Sequence, residues 1–104
     1  MSDDAFQKKA ELLTLMGNAQ RLKMLTTMAE GEISVGPLAA RLGLSQSALS
    51  QHLSKLRTAD LVATRREAQT IYYSVKSDNV AVVLAMLDEM FAEPTRERVQ
   101  RKAS

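Results

Sequence analysis

The chain contains no cysteine and no tryptophan, only one histidine, two prolines and four glycines, and just four aromatic residues (Phe6, Tyr72, Tyr73 and Phe91). Without cysteine there are no disulfides, no thiolate metal sites and no thiol nucleophile. A single histidine makes neither a metal cluster nor a nucleophile–base pair, and no glycine-rich phosphate loop is present, so enzymatic activity and a bound cofactor or metal are not expected. The scarcity of aromatics leaves the core to Leu, Val, Ala and Met. In a chain of 104 residues one core of that kind is small, and a partner subunit is one way to gain buried area. The longest apolar run, Val80 to Leu87, falls far short of the roughly 20 residues that span a bilayer. The opening "MSDDAFQKKAELL" places acids where a secretory signal would carry positive charge. The expectation is a cytoplasmic protein with no membrane partner.

Charge is present but uneven. The segment from Arg41 to Lys76 holds six basic residues (Arg41, Lys55, Arg57, Arg65, Arg66, Lys76) against two acids, Asp60 and Glu67. Residues 1–40 hold four basic and five acidic residues. The middle of the chain is therefore the part suited to a polyanionic partner such as DNA.

Periodicity and capping residues divide the chain into short elements. Phe6, Ala10, Leu13 and Met16 recur at helical spacing after Asp3 and Asp4, and Gly17 ends that helix. Asn18 caps a second helix, Ala19 to about Ala29, whose inward stripe is Leu22, Leu25 and Met28. After Gly31, Glu32–Ile33 reads as a short extended link. Ser34 caps Val35–Leu42, with Pro37 tolerated in the first turn and Ile33 stapled onto Leu38. The device repeats directly: Gly43 breaks the helix, Ser45 caps the next, and Leu44 staples onto Leu49. Two short capped helices joined by a tight glycine turn are the pattern of a helix-turn-helix. Val62–Arg66 and Thr70–Val75 then alternate as strands, forming a basic hairpin, or wing. Ser77 or Asp78 caps a last helix from Val80 to about Phe91, which Pro94 stops. The expected architecture is mostly α with a small β-hairpin (α+β), in the order α-α-α-α-β-β-α. Residues 1–93 form one domain and 94–104 a polar tail expected to be disordered.

The stretch "LSQSALSQHLSKLR", Leu44 to Arg57, is where function is most legible. Leu49, Leu53 and Leu56 face inward at i, i+4 and i+7, while Gln46, Ser47, Ser50, Gln51 and Ser54 occupy the other side. A solvated helix face is ordinarily rich in Lys and Glu. A helix that enters a major groove instead needs short hydrogen-bonding groups, because glutamine pairs with adenine edges and serine with several bases. Gln46, Ser47, Ser50 and Gln51 are the base-reading candidates. Ser45, Ser54, Lys55 and Arg57 on the helix, and Arg65, Arg66 and Gln69 on the wing, are the candidates for the DNA backbone. Arg65 and Arg66 point to opposite faces of a strand, so one of them reaches a given groove. His52, at the edge of the leucine stripe, suits a structural or phosphate hydrogen bond better than catalysis.

The last helix, with "VAVVLAML", is apolar on every side for two turns. Such a helix must be covered twice, once by its own domain and once by something else. A two-fold homodimer through the first and last helices, with Phe6, Leu13, Val83, Leu87 and Met90 or the Met86 edge at the contact, would cover it. It would also set two reading helices on one face of a duplex.

These residues resemble the ArsR/SmtB family of dimeric winged-helix bacterial repressors over nearly the whole chain. The resemblance is carried by "LSQSALSQHL…LR…LV.TRR.AQTIYYS" and by "AQRLKML" in the second helix, and it points to a branch holding nodulation, virulence and biofilm regulators. It implies base contacts from Gln46, Ser47, Ser50 and Gln51, and backbone or minor-groove contacts from the wing arginines. Metal-sensing members carry paired cysteines where this chain has "EISVGP", and acidic or histidine ligands in a last helix that here has no histidine. Dithiol-sensing members place cysteines at the positions of Thr26 and Ala92. Both sensing chemistries are therefore lost, and the effector is unknown. The resulting expectation is a sequence-specific transcriptional regulator, a repressor of an inverted-repeat operator. The alternatives are an activator that displaces another DNA-binding protein, and a winged helix used as a protein-interaction module. The last would call for large apolar residues where the fourth helix carries Ser and Gln.

Overall fold

A computed structural model describes residues 2–92. In chain order it contains α1 (Asp3–Met16), α2 (Ala19–Glu30), β1 (Ile33–Ser34), α3 (Val35–Leu42), α4 (Gln46–Thr58), β2 (Val62–Glu67), β3 (Thr70–Val75) and α5 (Asp78–Phe91). The expected tail, 94–104, lies outside the described residues.

Short polar side chains start four of the five helices. Ser2, Asn18, Ser45 and Ser77 accept hydrogen bonds from the backbone N–H groups of Ala5, Arg21, Ala48 and Val80 at 3.3, 3.0, 3.1 and 3.3 Å. Each satisfies one of the donors that a helix leaves unpaired in its first turn. Ser2 rather than the aspartates therefore starts α1, and Ser77 starts α5 two residues earlier than the apolar pattern indicates. Ser34 is the exception: it sits at the cap position of α3, but its hydroxyl makes no capping bond. The third residue of that helix is Pro37, which has no N–H to donate.

Two helices end on left-handed residues. Gly43, at φ 66°, lets its own N–H and that of Leu44 return to the carbonyls of Ala40 and Ala39. Asp60, at φ 63°, does the same for α4, with Leu61 donating to Leu56 at 3.0 Å. The first turn sets the angle between α3 and α4, and the second launches the wing.

The core is built where the leucine and methionine stripes meet. Met24, Leu25 and Met28 of α2, Leu38 of α3, Leu49, Leu53 and Leu56 of α4, and Val80 of α5 are all shut off from solvent. Burying each such side chain contributes roughly 1.5–3 kcal/mol, so α4 is held rigidly by three of them. At the α1–α2 junction, buried Arg21 donates from Nε to the Leu15 carbonyl at 2.6 Å and from Nη2 to Thr14 at 3.2 Å. These are carbonyls that α1 leaves unpaired at its end. Nothing in the local periodicity signals that role.

The sheet differs from a bare hairpin. Its order is β1-β3-β2, antiparallel throughout. The segment read as a link supplies a third strand, with Ile33 opposite Tyr73 and Ser34 opposite Tyr72. Two residues are too few to show an alternation, and the pairing is set by the free edge of β3. The hairpin closes over Ala68 and Gln69, with Glu67 opposite Thr70. Ala68 has φ 55° and Gln69 does not have positive φ. Ala68 thus takes the left-handed backbone at the hairpin tip without a glycine.

Candidate nucleic-acid interface

The two faces of α4 have opposite fates. Leu49, Leu53 and Leu56 are buried, while Gln46, Ser47, Ser50, Gln51, Ser54, Lys55 and Arg57 are exposed. The four residues read as base contacts, Gln46, Ser47, Ser50 and Gln51, make no side-chain hydrogen bond to any described residue. Ser45 spends its oxygen on the cap, which fixes the start of the helix. The outward face of α4 is thus a row of short, uncharged and unpaired donors and acceptors on a rigid support.

His52 is half-buried at the edge of the leucine stripe, and its Nδ1 is buried with no partner in the protein. Burial, then the positive charges of Arg21 and Lys55, hold its pKa below the ordinary histidine value. It is a neutral ring near pH 7.

The two wing arginines, adjacent in sequence, are differently committed. Arg65 donates from Nε to both carboxylate oxygens of Glu32, at 3.0 and 3.2 Å, and from Nη1 to Glu67 at 3.3 Å. Its guanidinium also lies 4.8 Å from the centre of the Tyr72 ring. The bond from Arg65 holds the Glu32 carboxyl below the usual carboxylate range. Arg66 donates to the Ala68 carbonyl at 3.1 Å and makes no ion pair among the described residues. Gln69 is exposed at the hairpin tip.

The same sorting applies to the rest of the basic segment. Arg41 pairs with Glu30 at 3.7 Å and Lys76 with Asp60 at 2.7 Å. Lys55, Arg57 and Arg66 have no acidic partner among the described residues. The cations left uncompensated therefore stand at the end of α4 and on the wing, flanking the Ser/Gln row.

A second exposed surface lies on α1 and α5. Phe6, Leu13, Val82, Met86, Met90 and Phe91 are each more than half exposed. Of the residues read as dimer contacts, Phe6, Leu13 and Met90 are on this surface. Val83, which is packed against the core, and Leu87 are both partly buried. The open edge of α5 runs Val82, Met86, Met90, at i, i+4 and i+8. Among the described residues no three His, Asp or Glu stand close enough to hold a metal ion, and no helix is long and apolar enough to cross a membrane.

A helix-turn-helix followed by a hairpin wing, with an unpaired polar helix face flanked by free cations, defines a winged-helix regulator that binds DNA. Residues 18–64 match the pattern of the bacterial regulatory proteins of the arsR family. The nodulation protein NolR of Rhizobium meliloti is 52% identical over 83% of this chain and 70% of its own length. The chain belongs to the arsR family and is a regulator of transcription rather than an enzyme. The transcriptional activator HlyU of Vibrio cholerae is 45% identical over 83% of this chain and 80% of its own. Its solved structure superposes with a TM-score of 0.81 at 43% identity, covering 89% of this chain and all of that one, 100%. The homodimeric winged helix-turn-helix DNA-binding domain of Mb0332 from Mycobacterium bovis superposes with a TM-score of 0.77 at 28% identity, covering 86% of each chain.

Proposed function

We propose that the protein is a homodimeric repressor that binds an inverted-repeat operator in the cytoplasm, with one α4 in each of two successive major grooves. Gln46, Ser47, Ser50 and Gln51 read base edges. Ser45, Ser54, Lys55 and Arg57 contact the backbone beside α4, and Arg66 and Gln69 contact it from the wing. Arg65 serves the wing's shape, since Glu32 and Glu67 already neutralise it.

The observation that carries this reading is the Ser/Gln face of α4. Unpaired uncharged hydrogen-bonding groups on a rigid helix have little to do in water, and they match the donors and acceptors of the major groove. The homodimer is supported by the large apolar side chains exposed on α1 and α5, and by the homodimeric state of the Mycobacterium bovis domain. A second mode, activation by displacing another DNA-binding protein, is favoured by one observation: the Vibrio cholerae relative is named an activator. Both modes use the same DNA contacts. A protein-interaction module is disfavoured, because the exposed face of α4 offers no large apolar side chain.

The test is selection from a random double-stranded DNA library with the full chain. The expected result is a two-fold symmetric motif with half-site centres about 10–10.5 base pairs apart. Recovery of no motif at moderate salt would sink the reading. Placing the selected operator over a promoter or over a second regulator's site then separates repression from displacement.

A further inference from the structure

Between α4 and the sheet lies a cleft of about 440 Å³, lined by Ser50, Leu53, Ser54, Arg57, Thr58 and Tyr73. Ser50, Ser54 and Arg57, at i, i+4 and i+7, line it along one side of α4, and Tyr73 reaches it from the central strand. Tyr73 is only 9% exposed. Its hydroxyl makes no hydrogen bond to any described residue, yet it is not sealed from solvent. A tyrosine buried this deeply usually spends its hydroxyl on a partner inside the protein; this one lines the cleft and has no such partner among the described residues. Arg57, which lines the same cleft, makes no ion pair among the described residues. No carboxylate lines the cleft, whereas the hollow between α1 and the start of α5 is lined by Glu11 and Asp60.

We propose that this cleft holds one phosphate of the DNA backbone, with Arg57 supplying the charge and the hydroxyls of Tyr73, Ser54 and Thr58 donating to its oxygens. The inference rests on the DNA-binding reading above and adds Tyr73 and Thr58 to its contacts. The negative end of the α4 dipole opposes an anion here, and Lys55 and Arg57 in the last turn offset it. Hydroxyl donors gain strength on an ionised acceptor. A phosphate seated between helix and sheet fixes how deeply and at what angle α4 lies in the groove, so the base-reading residues depend on it for register.

The test uses Tyr73→Phe, which keeps the ring packed and removes only the hydroxyl. Binding is measured on the selected operator and on a random duplex of equal length. A scan of single methylphosphonate substitutions across the operator accompanies it. The expected result is a loss of roughly tenfold on both duplexes, the scale of one hydrogen bond to a charged group, with an unchanged melting temperature. One phosphate position should weaken the wild-type protein when neutralised and weaken Tyr73→Phe by a smaller factor, since Arg57 and the other hydroxyls still hold it there. Arg57→Gln should lower the slope of log affinity against log salt by about one, while Tyr73→Phe leaves that slope alone. Wild-type affinity in Tyr73→Phe on both duplexes would overturn the inference while leaving the DNA reading intact. So would a scan in which every phosphate affects both proteins equally. Saturable, Tyr73-dependent binding of inorganic phosphate to the free protein below millimolar concentration would reassign the cleft to a small oxyanion and overturn it as a backbone site. Failure of the wild type to bind either duplex would defeat the DNA reading itself.

Discussion

The protein exposes two unlike surfaces, one on α1 and α5 and one on α4 and the wing. The first carries Phe6, Leu13, Val82, Met86, Met90 and Phe91. The second carries serines, glutamines and uncompensated cations, with every leucine of α4 turned inward. Apolar area gives affinity without direction, which suits contact with a second copy of the same chain. Short polar groups give little affinity but discriminate among partners by where donors and acceptors stand. On the proposed function, the molecule separates the surface that holds from the surface that reads.

That separation can be broken from its apolar side with the largest effect. Leu13→Glu combined with Met90→Glu should give a folded monomer by sedimentation, because both side chains are already more than half exposed. Operator affinity should then fall by about a hundredfold or more, the loss expected when two linked half-site contacts become one. A double variant that stays dimeric would place the subunit contact elsewhere.

From the reading side the effect is smaller and confined to sequence. Gln51→Ala should weaken operator binding by about tenfold to a hundredfold, corresponding to one lost base contact of roughly 1–3 kcal/mol. Affinity for random DNA should stay within twofold of the wild type. Equal losses on both duplexes would make Gln51 a backbone contact.

The wing sharpens the contrast further, through neighbours. Arg66→Ala should cost several-fold on any duplex and lower the salt slope by about one. Arg65→Ala should leave that slope nearly unchanged, since its charge is already shared between Glu32 and Glu67. The two salt titrations run side by side decide the matter. If Arg65 gave the larger change, its ion pairs would have to open on DNA.

The smallest expected effect concerns the rear of the reading helix. Burial holds His52 below an ordinary histidine pKa near 6.5, so the unfolded chain takes up a proton more readily than the folded one. Stability is therefore full above about pH 6.5 and declines as pH falls through the interval below it. His52→Gln should flatten the part of the melting-temperature profile between pH 7 and pH 5 that this histidine contributes. An unchanged profile would show that the ring is solvated in solution.

Much of this was legible in the chain because it is local. Capping serines, the glycine between α3 and α4, and the Leu49–Leu53–Leu56 stripe all act within one or two helical turns, so spacing alone places them. The face opposite that stripe follows from the same geometry, which is why the Ser/Gln row could be read before any contact was known. α1 shows the limit of that reading. Its stripe of Phe6, Ala10, Leu13 and Met16 is regular, yet only Met16 is buried, and Leu12 and Leu15 pack against the core in place of the others. A helix with apolar residues on several sides does not declare which side belongs to its own domain.

The sequence by itself determined the helix-turn-helix, its wing, and the residues α4 turns outward, because each follows from periodicities and caps that span a few residues. Tertiary structure alone decided that Ile33–Ser34 pairs as a third strand, that Arg21 closes the end of α1, and that Arg65 is paired with acids while Arg66 has no acidic partner among the described residues. It also decided that Tyr73 and Arg57 line one cleft. Each of these joins separate elements of the fold, and for such pairs the partner is set by how whole elements pack rather than by anything either residue's neighbours reveal.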